Sequence, residues 1–131
     1  MPAADLLLTG GRVVDASRDV DMIADVAFTD GKVSAIGQSL PRDGVADVRN
    51  VSGKMVTPGL IDLHTHVYWG GTSIGVDPTD YAKRSGTTTI IDAGTAGAGN
   101  FAGFRAHVIE PCDARILAYL NVSFAGIFAF S

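Results

Sequence analysis

Cysteine, basic clusters and a leader pattern are all scarce or missing in this sequence. A single cysteine, Cys112, excludes an internal disulfide and is typical of a protein from a reducing cytoplasm. Ten Lys and Arg stand against 14 Asp and Glu without a basic cluster, so the composition gives no indication of a nucleic-acid partner. The first ten residues lack the basic region of a secretory signal. These absences predict a cytoplasmic protein that does not bind nucleic acid.

Long hydrophobic runs are also missing, apart from residues 116–130, ILAYLNVSFAGIFAF. This run is shorter than the roughly 20 residues of a membrane-spanning helix, and Asn121 and Ser123 interrupt it. It therefore predicts a buried strand and the segment that follows it, with no membrane association. An uncovered run of this kind would expose a large apolar patch.

Glycine is abundant instead, and short β patterns separated by glycine turns fill residues 5–57. Residues 24–37 alternate as a hairpin does, with Asp30-Gly31 as a type I′ turn signal. Residues 45–59 predict a second hairpin, which turns near Ser52-Gly53. We therefore expect residues 1–57 to form a small sheet or part of a β-sandwich domain.

From residue 58 the pattern changes to alternating strands and helices, which predicts parallel strands joined by right-handed crossovers. Asp77, Pro78 and Gly86 are typical of the cap, the first position and the end of a helix. Asn100 is predicted to cap the second helix. The predicted elements are a strand at 60–66, a helix at 76–86, a strand at 87–94, a flexible glycine loop at 94–99, a helix at 100–111 and a strand at 114–122.

Two of the three histidines, His64 and His66, lie one residue apart at the carboxyl end of the first of these strands. In a strand, residues i and i+2 point to the same face about 6.5–7 Å apart, so both imidazoles can reach one cation. By the same parity Asp62 would share this inner face, and Leu63 and Thr65 would face the covering helices. Two ordinary histidines near a strand end remain the alternative, because H-x-H alone is common.

The stretch VTPGLIDLHTH at residues 56–66, preceded by TDGKVSAIG at 29–37, resembles the opening of the metal-dependent amidohydrolase superfamily. That superfamily includes dihydroorotases, hydantoinases, D-aminoacylases and deacetylases. The resemblance implies an α/β fold, the N-terminal part of a (β/α)8 TIM barrel beside a small β-sandwich. Residues 58–131 would then be its first three β/α units, and residues 1–57 part of the sandwich domain.

The resemblance also implies a metal site, in which His64 and His66 bind the more buried of one or two divalent metals, usually zinc. Such proteins complete the site with a lysine or glutamate on strand four, histidines on strands five and six, and a general-base aspartate on strand eight. No residue of this chain matches those positions. The catalytic residues are therefore unknown here, and the general base is expected beyond residue 131.

The subgroup is indicated by the residues after the histidine pair. Dihydroorotases typically carry H-x-H-x-R, whereas the position two after His66 is Tyr68. Residues 66–111 are most similar to the amidohydrolase/deacetylase group, often labelled dihydroorotase-like. The resemblance implies a metal-dependent hydrolase that deacetylates small N-acyl or O-acyl compounds through a metal-bound hydroxide. A dihydroorotase or other cyclic amidase is the alternative.

Tyr68, Gly70 and Gly71 follow the metal strand, and we expect them to line the mouth of the pocket and contact substrate. The alternative for Tyr68 is that it packs the loop. The complete enzyme would act on a small acylated molecule and could form a homo-oligomer. A different class of function also stays open, in which this chain is a truncated, non-catalytic product or a subunit that requires a partner.

Overall fold

The structure, a computed structural model, describes residues 4–128. Its contacts divide the chain into two compact units, Met1–Pro58 and Gly59–Ser131. The predicted domains of residues 1–57 and 58–131 include residues 1–3 and 129–131, which lie outside the described residues.

The first unit is a five-stranded sheet in which a long first strand carries most of the pairing. β1 pairs antiparallel with β2 on one side and parallel with both β4 and β5 on the other, and β2 pairs with β3. The buried side chains of Leu7, Val13 and Val26 lie on this framework. The strands are β1 (Ala4–Asp15), β2 (Val20–Thr29), β3 (Lys32–Gly37), β4 (Val45–Asn50) and β5 (Met55–Val56).

The hairpin between β2 and β3 confirms the predicted turn. Asp30 and Gly31 both have positive φ, 52° and 70°, as the two central positions of a type I′ turn require. This turn twists in the same sense as the strands that it joins, so antiparallel pairing begins directly at Thr29 and Lys32.

The predicted second hairpin at 45–59 is wrong. The chain does bend at Ser52-Gly53, where Gly53 has a φ of 77°, but β4 and β5 then run in the same direction along β1. The bend lies opposite the register shift of β1 between Leu8 and Gly11. The bend is therefore a bulge, and the chain stays paired with the edge of β1. Just before the bend, Val51 N donates to Thr9 O at 2.9 Å.

The second unit is a three-stranded parallel sheet in the order β6-β7-β8, with a helix after each of the first two strands. Its core lies between the sheet and the helices and contains Val67, Ile90, Phe104 and Ile116. The elements are β6 (Leu60–Thr65), α1 (Pro78–Ser85), β7 (Thr87–Asp92), α2 (Phe101–Phe104), which continues as a π-helical turn (Arg105–Ile109), and β8 (Arg115–Ala118).

Both ends of α1 confirm the sequence signals. The Asp77 carboxylate accepts hydrogen bonds from Thr79 N at 2.8 Å and Asp80 N at 3.2 Å, and Pro78 occupies the first turn. Gly86 closes the helix with a φ of 71°, and its N–H bonds back to Ala82 O.

The second helix is shorter than predicted, and its cap is different. Asn100 precedes the helix, but its side chain makes no cap hydrogen bond. Instead the Asn100 amide accepts from Gly97 N at 2.9 Å and donates to Ala125 O at 3.0 Å. The side chain therefore joins two loops, and the helix begins without it.

The loop at 94–99, which the sequence predicted to be flexible, is buried at residues 94–97 and exposed at residues 98 and 99. Asn121 N donates to Ala96 O at 2.9 Å, and Ile127 N donates to Thr95 O at 3.0 Å. A Cβ at Gly97 would overlap the Ser123 carbonyl oxygen. Glycine at 97 therefore permits close backbone approach here.

The apolar stretch at 116–130 is also mostly exposed, contrary to the predicted buried strand. Of its large apolar side chains within the described residues only Ile116 is buried, and positions 129 and 130 lie outside those residues. Among residues 4–128 no helix is long and apolar enough to cross a membrane. The exposed side chains are Leu117, Tyr119, Leu120, Val122, Phe124 and Phe128.

Candidate metal site

The histidine pair lies where β6 ends. His64 is the penultimate residue of the strand, and His66 directly follows its last residue, Thr65. The Thr65 hydroxyl donates to Ile91 O at 2.9 Å, which ties this end to β7. Carboxyl ends of parallel strands are where ligand sites form in α/β folds.

The predicted sharing of faces along β6 is wrong for Asp62 and Leu63. Asp62 pairs with Ile90 and Thr65 with Asp92, so three steps along β6 match two along β7. This bulge breaks the period-2 alternation. Asp62 accepts a hydrogen bond from the Tyr81 hydroxyl of α1, and Leu63 is 72% exposed.

The two imidazoles nevertheless meet beyond the bulge. Their ring centroids are 5.5 Å apart and their planes are nearly perpendicular, at 81°. Zn–N bonds of about 2.0–2.1 Å place a cation about 3.2 Å from each ring centre, so two ligating rings in a tetrahedral site lie about 5 Å apart. The separation of His64 and His66 therefore fits one shared cation.

His66 is supported on its other side by a buried hydroxyl. Its Nδ1 lies 2.8 Å from Thr95 Oγ1, and Thr95 is completely buried. Thr95 Oγ1 in turn donates to Asp92 Oδ2 at 2.7 Å. In the described part of the chain the His64 ring makes no hydrogen bond, so the two histidines are held differently.

Asp92 organises the turn that brings Thr95 to the histidine. It is completely buried and accepts from Val67 N at 2.8 Å, Gly94 N at 3.1 Å and Thr95 N at 2.7 Å, besides the Thr95 hydroxyl. The carboxylate thus satisfies nearby backbone groups. It also reaches across to the residue that follows His66.

Thr95 is the residue that the sequence reasoning missed. The signal available was an Asp at a strand end with Gly two residues later and Thr three residues later. Asp side chains commonly accept from backbone N–H groups two or three residues on. The spacing predicts such a turn, but only the fold places its hydroxyl beside His66.

The structure places the predicted substrate residues mainly in packing roles. The Tyr68 ring stacks on Phe104 with centroids 4.7 Å apart, and its hydroxyl lies 3.4 Å from Asn100 O. Gly71 leaves room for the Tyr68 ring, whereas Gly70, with a φ of 74°, has open space around it. Substrate contact by Tyr68, Gly70 and Gly71 stays a prediction.

A hydrogen-bonded contact between β6 and α1 lies just behind the site. The Tyr81 hydroxyl and the His64 backbone N–H both donate to Asp62, and these hydrogen bonds lower the pKa of the Asp62 carboxyl. The same contact raises the pKa of Tyr81. Asp62 therefore acts on the strand that carries His64 by holding it to α1.

No third ligand joins the pair within the part of the chain that the structure describes. Among residues 4–128 no group of three His, Cys, Asp or Glu side chains could hold a metal ion. Catalytic zinc sites usually have three protein ligands. The described residues thus contain a pair of ligands that fits a cation, without a complete coordination shell.

Sequence comparison finds curated relatives, although no family model matches the chain. A protein named deacetylase from Brucella anthropi is 47% identical over 117 residues, which cover 88% of this chain and 27% of that protein. A protein named dihydroorotase from Trichlorobacter lovleyi is 44% identical over 63 residues, which cover 48% of this chain and 15% of that protein. The chain thus spans much less than half the length of these relatives.

Structure comparison agrees with the sequence comparison. The crystal structure of a dihydroorotase superposes with a TM-score of 0.84 and 37% sequence identity, over 96% of this chain and 33% of that chain. This match confirms the predicted fold class and covers both units of the chain.

Proposed function

Because the chain belongs by sequence and fold to the amidohydrolase superfamily, we propose that the protein is a metal-dependent hydrolase. In this proposal His64 and His66 hold a divalent cation, usually zinc. The observation that carries the proposal is the meeting of the two rings at the end of β6, 5.5 Å apart. When bound, such a cation supplies a hydroxide nucleophile at neutral pH and polarises an acyl carbonyl.

In this proposal the residues of this chain bind the metal and orient its ligands. They do not act as the general base that takes the proton during hydrolysis. His64 and His66 supply two nitrogen ligands, and the Thr65 hydroxyl fixes the strand end between them by its bond to Ile91 O. Asp92 is completely covered by backbone N–H donors and a hydroxyl, so it has no access to substrate. We therefore assign no general base among the described residues.

The substrate class that we propose is a small N-acyl or O-acyl compound. The relative that supports it is the protein named deacetylase, which matches 88% of this chain at 47% identity. The protein named dihydroorotase matches only 48% of the chain. Tyr68, which stands where H-x-H-x-R proteins carry arginine, also favours the deacetylase side.

A dihydroorotase or other cyclic amidase is the second candidate, because a dihydroorotase crystal structure superposes on nearly the whole chain. The test is to measure hydrolysis of N-acetyl amino acids, O-acetyl esters and dihydroorotate by the complete enzyme, before and after removal of metal by a chelator. We expect acyl hydrolysis that is lost with the metal and restored by zinc. Turnover of dihydroorotate alone would favour the second candidate, and chelator-insensitive turnover would contradict the metal.

The ligands are tested by zinc titration calorimetry on single-histidine variants. We expect His64→Ala and His66→Ala each to abolish the zinc binding of the wild type. His107→Ala is the matched control, because His107 is the third histidine, is exposed and lies on the π-helical turn. Equal loss in all three variants, or no zinc binding by the wild type, would overturn the assignment and leave the non-catalytic alternative.

A further inference from the structure

His66 has a defined partner at one ring nitrogen, whereas His64 has none among residues 4–128. The partner, Thr95 Oγ1, is completely buried at 2.8 Å from His66 Nδ1. A neutral imidazole carries hydrogen on one nitrogen and a lone pair on the other, and the hydrogen bond at one nitrogen decides which. The direction of the His66–Thr95 hydrogen bond therefore fixes which nitrogen is free to bind a metal.

That direction follows from counting hydrogens around Asp92. A carboxylate has only acceptors, and Asp92 faces three backbone N–H groups, which donate from 2.7–3.1 Å. Thr95 has one hydroxyl hydrogen, and it points to Asp92 Oδ2 at 2.7 Å. The Thr95 oxygen is left with lone pairs toward His66, so Nδ1 must carry the hydrogen of this contact.

We propose that Thr95, oriented by Asp92, is a positioning residue that holds His66 in the tautomer protonated at Nδ1, so that Nε2 presents its lone pair at the end of β6. Metal-ligating histidines typically donate their other ring N–H in this way, which fixes ring orientation. The purpose of this arrangement rests on the proposed function, but the tautomer itself is a property of the metal-free protein.

The first test is nuclear magnetic resonance of histidine-labelled, metal-free protein, about two pH units above the usual histidine pKa of about 6.5. Long-range proton–nitrogen correlation distinguishes the two tautomers of each ring. We expect His66 to show a single form protonated at Nδ1, and His64 to show a mixture. A wild-type His66 protonated at Nε2 would overturn the proposal without any variant.

The second test replaces the hydroxyl. Thr95→Val keeps the side-chain shape, and we expect His66 to become a mixture of tautomers, whereas Thr95→Ser should restore the single form. Thr9→Val is the matched control, because Thr9 is also buried, belongs to the first unit, and its hydroxyl donates to Arg49 O rather than to a histidine. An unchanged tautomer in Thr95→Val would overturn the proposal.

Zinc titration then separates this inference from the proposed function. Loss of such a partner typically weakens metal binding by about 10–100-fold, so we expect that loss for Thr95→Val, recovery for Thr95→Ser and no change for Thr9→Val. If wild type binds no zinc while the tautomer depends on Thr95, the proposed function fails and the tautomer assignment stands. If zinc binds equally to wild type and Thr95→Val, the positioning role fails and the metal site stands.

Discussion

The two units of this chain hold their turns in different ways. In the first unit, the turn between β2 and β3 depends on backbone conformation, with Asp30 and Gly31 at positive φ and open space around Gly31. In the second unit, the turn after β7 depends on the buried side chain of Asp92 and on the close backbone approach at Gly97. Local conformation is visible in sequence, whereas burial and close approach are made by distant parts of the chain.

Among the variants that test this comparison of turns, we expect Asp92→Ala to cause the largest loss in the free energy of unfolding. It leaves three buried backbone N–H groups and one hydroxyl without their acceptor, at about 1–3 kcal/mol for each group. We expect a loss of more than about 3 kcal/mol in the free energy of unfolding, measured by urea denaturation. Asp25→Ala in the first unit is the comparison, because Asp25 is also buried but, among residues 4–128, accepts only from Gly10 N and Leu40 N. An equal loss for the two variants would contradict the prediction.

The next largest loss of stability is expected from replacing a glycine in each of the two turns. Gly97→Ala places a Cβ on the Ser123 carbonyl oxygen, a backbone atom, and overpacking typically costs about 1–3 kcal/mol, occasionally more. Gly31→Ala meets no neighbour and adds only the cost of left-handed backbone, about 1–2 kcal/mol. Urea midpoints should therefore fall further for Gly97→Ala. The reverse order would mean that the turn after β7 is more adaptable than its packing indicates.

The smallest effect is pH-dependent and belongs to the Asp62–Tyr81 contact. Because the pKa of Asp62 is lowered in the folded protein, the contact stabilises the fold at pH values above about 3.9, the pKa of Asp in an unfolded chain. This stabilisation is lost as the pH falls through the lowered pKa. Because the pKa of Tyr81 is raised in the folded protein, the contact stabilises the fold at pH values below about 10, the pKa of Tyr in an unfolded chain. This stabilisation is lost as the pH rises through the raised pKa. Tyr81→Phe should therefore lower stability most between about pH 4 and pH 10.

The measurement is urea denaturation of wild type and Tyr81→Phe at acidic, neutral and alkaline pH. Tyr119→Phe is the control, because the Tyr119 side chain is 67% exposed. We expect the difference between wild type and Tyr81→Phe to shrink at both extremes. A difference that stays constant with pH would show that Tyr81 contributes by packing alone.

The elements that the sequence predicted correctly are those with local signals. Asp77, Pro78 and Gly86 mark α1 by their own conformations and hydrogen bonds, and Asp30-Gly31 marks its hairpin in the same way. The spacing of the histidine pair also predicted that both rings point the same way, and the two rings do lie close together. Each of these signals is complete within a few residues of sequence.

The errors arose where a distant strand or loop decides the outcome. The chain does bend at Ser52-Gly53. However, the strands before and after the bend, β4 and β5, both pair with β1 and not with each other, so no second hairpin forms. The alternation along β6 failed because a bulge against β7 changes the parity after Asp62. The contact of Thr95 with His66 gives no local signal, because it spans 29 positions.

The pairing of β1 with β4 and β5 also bears on how the first unit folds. The β2–β3 hairpin joins residues that are neighbours in the chain, whereas Leu7 of β1 pairs with Val48 of β4. Hairpins form in about 1–10 μs, but contacts between distant residues must first close a long loop. We therefore expect the hairpin to form early and β4 and β5 to add late, so that the edge of β1 stays open to other strands for longest during folding.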